Sequence, residues 1–363
     1  MSNPVILSTG LSQIGKLETM KLTGRDMFSA AMTEAFEGLP NPAEIIDAVY
    51  VGNQSEQYEH QIMYGTLLAE WAGLRNIPAE RVEACAAAGS LAFRHAVEDV
   101  RAGRHDVVLA AGVEKMSGGD TASTTAALSA MFDRAIEQRS GVTAPSQYAM
   151  LARRYMYEHG VDEEDLARIA VKNHRNGANN PRAHIQSEID IEEAMSSRYI
   201  APPFKLYDCA PMSDGSAAIL VTSRDIAEDL LPDTEFVTVA GSSSMTNNVQ
   251  IAERDMTHLT GIEAASDEAY RQSGLSAADI DVAEVHDCFT VMEALISEAA
   301  GFGPRGSGCD CALDPPDRAD GWTDVQINTS GGLKARGHPT GATGLAQIIE
   351  VEEQLTNAAN PSR

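Results

Sequence analysis

Apolar and polar positions follow two periods along this chain, and the two periods alternate. Val5-Ile6-Leu7 is a short apolar run that predicts a first strand. Thr23 to Glu37 then carries Phe28, Ala31, Met32 and Ala35 on one helical face. Ala48-Val49-Tyr50-Val51 predicts a second strand, Gln61 to Gly73 a helix, and Pro78 to Ala84 a lead into the turn at Cys85. Leu91 to Ala102 continues as a helix that stops at Gly103, and Asp106 to Gly112 is a buried-strand run. Strands alternating with helices in this way predict an α/β sheet covered by helices on both faces.

The rhythm breaks between Ser117 and Pro203, where Gly118-Gly119, Pro145, Asn179-Asn180-Pro181 and Pro202-Pro203 punctuate the chain. Two helices fit inside this stretch, Gln147 to Glu158 and Glu163 to Asn176, the second capped by Asp162. An inserted, mostly helical lobe is expected there. Strand patterns return at Ser216 to Val221 and Phe236 to Ala240. A second series follows: helix Gly261 to Ser273, strand Ile280 to Val285, helix Val291 to Ala300, strand Val325 to Thr329 and helix Gly341 to Gln354. The chain thus runs through a similar plan twice, and its expected divisions are 1–117, an inserted lobe 118–203, 204–232 closing the first half, and a second half 233–363.

Charge narrows the setting. The 363 residues include 53 acidic and 27 basic side chains, a net charge of −26, and only 6 of the basic residues are Lys. Such a surface repels nucleic acid and anionic membranes, so neither is an expected partner. It also suits a halophilic protein, because concentrated salt shortens the range of self-repulsion to a few Å. No apolar run approaches the ~18 residues that span a bilayer, and MSNPVILSTG lacks the basic and apolar regions of a signal peptide. Five cysteines without framework spacing suit reduced thiols and a cytoplasmic location.

Candidate chemistry sits at three turns. Cys85 lies in Val82-Glu83-Ala84-Cys85-Ala86-Ala87-Ala88-Gly89-Ser90, before a helix whose N-terminus is expected to lower the thiol's pKa. His286 and Cys288 lie in Glu284-Val285-His286-Asp287-Cys288-Phe289, after a strand. His338 lies in Gly331-Gly332-Leu333-Lys334-Ala335-Arg336-Gly337-His338-Pro339-Thr340-Gly341, a stiff turn before the last helix. Two thiols and two imidazoles on separate turns suit acyl transfer through a thioester. Each has a plainer reading as well: an inert buried cysteine at 85, a helix-capping histidine at 338, a His-x-Cys metal pair at 286 and 288. Cys309-Asp310-Cys311 also looks metal-like, but no second pair stands at ligand spacing, and no metal is expected.

Five segments together resemble the thiolase family, in the branch of archaeal and sterol-carrier-protein-type thiolases that carries an HDCF motif. They are the Cys85 turn, Ala111-Gly112-Val113-Glu114-Lys115-Met116-Ser117, Met212-Ser213-Asp214-Gly215-Ser216-Ala217-Ala218, His286-Asp287-Cys288-Phe289 and Gly337-His338-Pro339, in the family's order. The resemblance implies an α/β thiolase fold: two duplicated βαβαβαββ halves in five α-β-α-β-α layers with an inserted loop domain. Family members add two strands after the helix that follows Gly-His-Pro, one loop there supplying an oxyanion-hole N–H. This sequence ends at Asn360-Pro361-Ser362-Arg363 instead, so the last strands are expected to be missing from it.

By the same resemblance Cys85 is the nucleophile and His338 the base that takes its proton. Cys288 is the acid/base that works on the acetyl-CoA methyl group, and His286 holds a water in an oxyanion hole. The Cys209 to Met212 loop is expected to line the pantetheine channel, so Ala210 and Met212 are candidate CoA contacts; Lys205 and Arg182 are candidates for its phosphates. Coenzyme A enters as part of substrate and product, and no cofactor is bound permanently. The implied activity is acetyl-CoA C-acetyltransferase, forming acetoacetyl-CoA for mevalonate or polyhydroxyalkanoate synthesis. A degradative 3-ketoacyl-CoA thiolase and a weakly catalytic scaffold subunit of a multienzyme complex are the alternatives. Expected partners are further copies of the chain, as homodimer or tetramer, a small OB-fold/zinc-ribbon protein and an HMG-CoA synthase.

Overall fold

A computed structural model describes residues 3–16 and 21–359. In chain order its elements are β1 (Val5–Leu11), α1 (Gly24–Ala35), α2 (Pro42–Ile45), β2 (Ala48–Gly52), α3 (Tyr64–Trp71), β3 (Ala79–Val82), α4 (Ala88–Arg101), β4 (Val107–Glu114) and α5 (Thr121–Ser129). There follow α6 (Ala144–His159), α7 (Glu163–Ala178), α8 (Ile191–Ser196), β5 (Tyr199–Ala201), β6 (Phe204–Lys205), β7 (Gly215–Thr222) and α9 (Arg224–Leu230). The chain closes with α10 (Thr260–Ser273), β8 (Val282–Ala283), α11 (Thr290–Ala299), β9 (Gln326–Ile327), α12 (Gly332–Ala335) and α13 (Thr343–Leu355). The expected end at residues 360–363 lies outside the described residues.

Two compact units form. The first draws on Met1–Gly119, Met212–Ser242 and His338–Pro361. Its five-stranded sheet has the order β1-β7-β4-β2-β3, with β4, β2 and β3 parallel and β7 antiparallel to both β1 and β4. Every residue of β4 and β7 is buried, as expected of strands covered on both faces. Met27, Phe28, Ala31 and Met32 of α1 seal one face. Phe93, Ala96 and Val97 of α4 seal the other, together with Leu345, Ala346 and Ile349 of α13. Burying Leu345 and Ile349 is worth about 1.5–3 kcal/mol each, enough to fix a helix that comes from the far end of the sequence.

The expected division puts α13 with the second half of the chain; in the structure its apolar face packs against α4 on the first sheet. The strand expected at Phe236 to Ala240 is likewise not part of a second sheet. It runs extended along the open edge of β1, with Ile6 N donating to Val237 O at 3.0 Å and Val239 N to Pro4 O at 2.9 Å. Covering that edge satisfies backbone groups that would otherwise be exposed.

The second unit joins the helical lobe, Asp120–Pro211, to Ser243–Gly337. Tyr155, Leu166 and Ile169 of α6 and α7 share a core with Val291, Leu295 and Phe302 and with Leu333 of α12. The two strands expected here shrink to the short parallel pair β8 and β9. Asn328 ends that ladder: its φ is +56°, and its side-chain oxygen accepts from Val285 N at 2.8 Å, replacing a backbone partner.

Candidate active site

In the first unit β3 delivers the chain to Cys85, whose φ of +52° lies in the left-handed region. A non-glycine residue there carries about 1–3 kcal/mol of strain, which the surrounding packing must hold. A 3₁₀ turn, Cys85–Ala87, leads into α4. The Cys85 N–H donates to Glu83 Oε1 at 2.7 Å. Contrary to the expected lowering, the Cys85 thiol is pushed up to about 11. Burial is the main cause, and the carboxylates of Glu83 and Glu114 add to it; the Ala86 N–H works in the opposite direction. The helix start is therefore outweighed, and the sulfur rests as a thiol that needs a base.

The His338 turn is locked in the same unit. His338 N donates to Ser213 Oγ at 3.0 Å, and the backbone pairs with Met212. Its Nδ1 lies 2.8 Å from Thr343 Oγ1, and that hydroxyl donates to Pro339 O at 2.9 Å. With the hydroxyl proton committed, Nδ1 is the donor, and the lone pair falls on Nε2. Gly341 N donates to Glu114 Oε2 at 3.0 Å, and the same carboxylate accepts from Gln54 N at 2.7 Å. Glu114 is fully buried, and burial raises its pKa to about 7. Glycines allow the close approach of the two turns: a Cβ on Gly89 would lie 2.6 Å from Gly341 O, and one on Gly341 would lie 2.6 Å from Val113 O. The Cys85 turn and the His338 turn are thus brought onto one another.

The second unit holds the other pair. His286, Asp287 and Cys288 occupy the connection from β8 to α11. Asp287 is fully buried and accepts from Leu333 N at 2.6 Å, Lys334 N at 3.3 Å and Asn173 Nδ2 at 2.8 Å. It thereby ties α12 to the loop, and Gly332 is required because a Cβ there would run into the Asp287 carboxylate. His286 is pushed down to about 4, first by burial and then by the nearby Arg336, so its imidazole is neutral. Cys288 is pushed up to about 12, first by burial and then by Asp287. Its backbone oxygen accepts from Ala210 N at 2.9 Å, which joins the expected CoA loop to the Cys288 segment. Met212 is 36% exposed.

Lys205 departs from expectation. It is buried, its ammonium is ion-paired with Glu163, and it lies 4.6 Å from the centre of the Tyr199 ring. Those partners engage its ammonium, which speaks against a phosphate contact. Cys309 and Cys311 sit in a 3₁₀ turn with burial raising both thiols, and among the described residues no group of three His, Cys, Asp or Glu side chains could hold a metal. No helix among them is long and apolar enough to cross a membrane. The sequence motifs pointed to neighbourhoods but not to their anchors. Glu114, Asp214 and Asp287 are buried carboxylates inside three of the five motifs, and an acidic residue within an apolar run was the available signal.

Residues 4–225 match the family model described as thiolase, N-terminal domain, and residues 242–363 match the thiolase C-terminal domain-like model. The chain is 41% identical over 351 residues to an acetyl-CoA acetyltransferase of Methanothermobacter thermautotrophicus, covering 96% of this chain and 90% of the relative. It is 36% identical to one of Methanocaldococcus jannaschii, covering 98% and 90%, and 30% identical to sterol carrier protein 2 of Gallus gallus, covering 98% and 66%. Among solved structures an Ltp2-ChsH2(DUF35) aldolase superposes with a TM-score of 0.82 at 24% identity, covering 99% of this chain and 91% of the other. A monomeric SCP2-thiolase-like protein from Mycobacterium smegmatis gives 0.76 at 21% identity, covering 98% and 72%. With both family models matched in order and archaeal relatives aligned over nearly its whole length, the chain belongs to the thiolase family.

Proposed function

We propose that this thiolase is an acetyl-CoA C-acetyltransferase that condenses two acetyl-CoA molecules to acetoacetyl-CoA through an acyl-enzyme on Cys85. The observation that carries the reading is the pairing of turns in the first unit. A thiol held at φ +52° at the head of α4 is packed by Gly89 and Gly341 against the turn of an imidazole whose Nδ1 is already engaged. When the Cys85 sulfur attacks the thioester carbonyl, His338 Nε2 takes the thiol proton and passes it to the leaving CoA sulfur. The first half-reaction is then balanced without any standing thiolate. In the second half Cys288, its own thiol proton first released to solvent, takes a proton from the acetyl-CoA methyl group as a thiolate, and the resulting enolate attacks the acyl carbonyl. The Cys85–acyl bond breaks, and the departing Cys85 sulfur takes up a proton from solvent by way of His338. A neutral His286 is suited to donate a hydrogen bond, directly or through water, toward the enolate oxygen.

Mass spectrometry after mixing with acetyl-CoA tests this. One acetyl group per chain, on Cys85 and absent from Cys85→Ala, is the expected result; a chain that stays unmodified defeats the reading. Rates with longer 3-ketoacyl-CoA substrates separate this role from a degradative one. If Cys85→Ala leaves the activity of an assembled complex unchanged, the scaffold alternative holds. A small OB-fold/zinc-ribbon partner and an HMG-CoA synthase belong to the same proposal, and co-purification from the native organism tests them.

A further inference from the structure

The segment between Gly331-Gly332 and Gly337 of the His338 motif carries Lys334 and Arg336. Both side chains are only 1% exposed. Lys334 Nζ and all three guanidinium nitrogens of Arg336 lack a hydrogen-bond partner. Buried cations without partners are costly, and a fold keeps them where an anion forms. The carboxylates near Lys334 are already occupied by neutral donors. Asp287 accepts from Leu333 N and Asn173 Nδ2, and Asp208 accepts from Lys205 N at 2.8 Å and Thr290 Oγ1 at 2.9 Å. The ammonium therefore acts on its surroundings through space alone.

We propose that Lys334 is a positioning residue for proton transfer at Cys288: its ammonium is the fixed positive charge beside which Cys288 releases its thiol proton and works as a thiolate. The proposal rests on the reading of Cys288 as the acid/base. Three contacts hold the backbone of Lys334 and the CoA loop against the Cys288 segment. Lys334 N binds the carboxylate of Asp287, the residue before Cys288; Ala210 N binds Cys288 O; and Cys209 pairs with Phe289. The groups facing Lys334 are Asp208 and Cys209 from the CoA loop, Asp287 and Cys288 from the loop before α11, and His174 from α7. Those facing Cys288 are Asp287, Lys334 and the Tyr148 hydroxyl of α6. Lys334 favours the ionised forms of Cys288, Cys209 and Asp287, against the burial that opposes them. Arg336 does the complementary work at His286, keeping the imidazole neutral.

In the step itself the Cys288 S–H first ionises, its proton leaving to solvent. The thiolate then takes a methyl proton from acetyl-CoA: the C–H bond breaks, an S–H bond forms, and the electron pair moves onto the enolate oxygen. In D₂O the exchanged thiol returns a deuteron to carbon, so deuterium uptake into the acetyl-CoA methyl group reads this step without condensation. The assay compares Cys85→Ser with Cys85→Ser/Lys334→Met across pH. An opposite charge at close range shifts a thiol by about 1–3 units. The pH midpoint of exchange is expected to rise by that amount in Lys334→Met, exchange at neutral pH to fall about tenfold or more, and Lys334→Arg to restore both. Acetylation of Cys85 in the single variant Lys334→Met is expected to keep its rate, which separates a local charge effect from misfolding. If Lys334→Met does not fold, Lys334→Gln carries the same test. An unchanged exchange profile overturns the proposal, as does loss of exchange and acetylation together. No exchange in Cys85→Ser itself overturns the role of Cys288, and this inference with it.

Discussion

Gly341→Ala is a one-carbon change that tests whether the Cys85 and His338 turns meet as described. A Cβ at 341 would lie 2.6 Å from Val113 O, 2.7 Å from Gly52 O and 2.8 Å from Asn53 Cα. All three are backbone atoms at the ends of β2 and β4, so no side chain can swing aside. Ordinary contact begins near 3.4 Å, and the turn must therefore retreat by about 0.8 Å from Val113 O. Overpacking of this kind costs about 1–3 kcal/mol, and the loss of backbone freedom in the unfolded chain returns about 0.4–1 kcal/mol. A net loss of about 1–2 kcal/mol is expected, read as a lower urea midpoint with an unchanged slope. The catalytic loss should be larger than the stability loss implies. His338 is three residues away on the same turn, and a misplacement near 1 Å can cost about a hundredfold in rate. Cys85 acetylation followed by quenched mass spectrometry is expected to slow about tenfold to a hundredfold. Parental stability together with parental acetylation would falsify the claimed approach of the two turns.

Three further outcomes follow from the same geometry. Glu114 is held up to about 7 in the fold against an ordinary glutamate value of 4.5, because burial disfavours its carboxylate; its contribution to stability is full below about pH 4.5 and is lost as pH rises through about 7. The gap is worth about 3 kcal/mol, and Glu114→Gln should flatten that part of the stability–pH curve, measured by urea unfolding. Thr343→Val removes the partner of His338 Nδ1, and acetylation of Cys85 should slow about tenfold; Thr343→Ser should restore it, and equal rates in all three would show that the hydroxyl sets nothing. A net charge of −26 predicts that KCl raises the midpoint of thermal unfolding; indifference between low and molar salt would remove the halophilic reading.

The order of strands and helices was legible because β4 and β7 are continuous apolar runs and because α1 and α4 carry one apolar stripe each. The positions of Cys85, His286, Cys288 and His338 at turns were legible because glycine, proline and the ends of apolar runs flank them. What the pattern could not show was electrostatic. A helix start next to Cys85 argued for a lowered pKa, whereas burial and two carboxylates raise it. Lys205 reads in sequence as a phosphate ligand, but Glu163, 42 residues earlier, holds its ammonium. Lys334 and Arg336 read as ordinary charges of a glycine-rich turn, and their burial shows only in three dimensions.

Sequence alone determined the local setting: which thiols and imidazoles stand at turns and which glycines and prolines shape those turns, since these depend on neighbours in the chain. Tertiary structure decided which distant segments share a unit and what charge each group carries. The helix after His338 joins the first sheet through an apolar face that any α/β partner could have buried. The protonation of Cys85, Cys288 and His286 follows from desolvation, a property of everything packed around a group and not of the residues beside it in the chain.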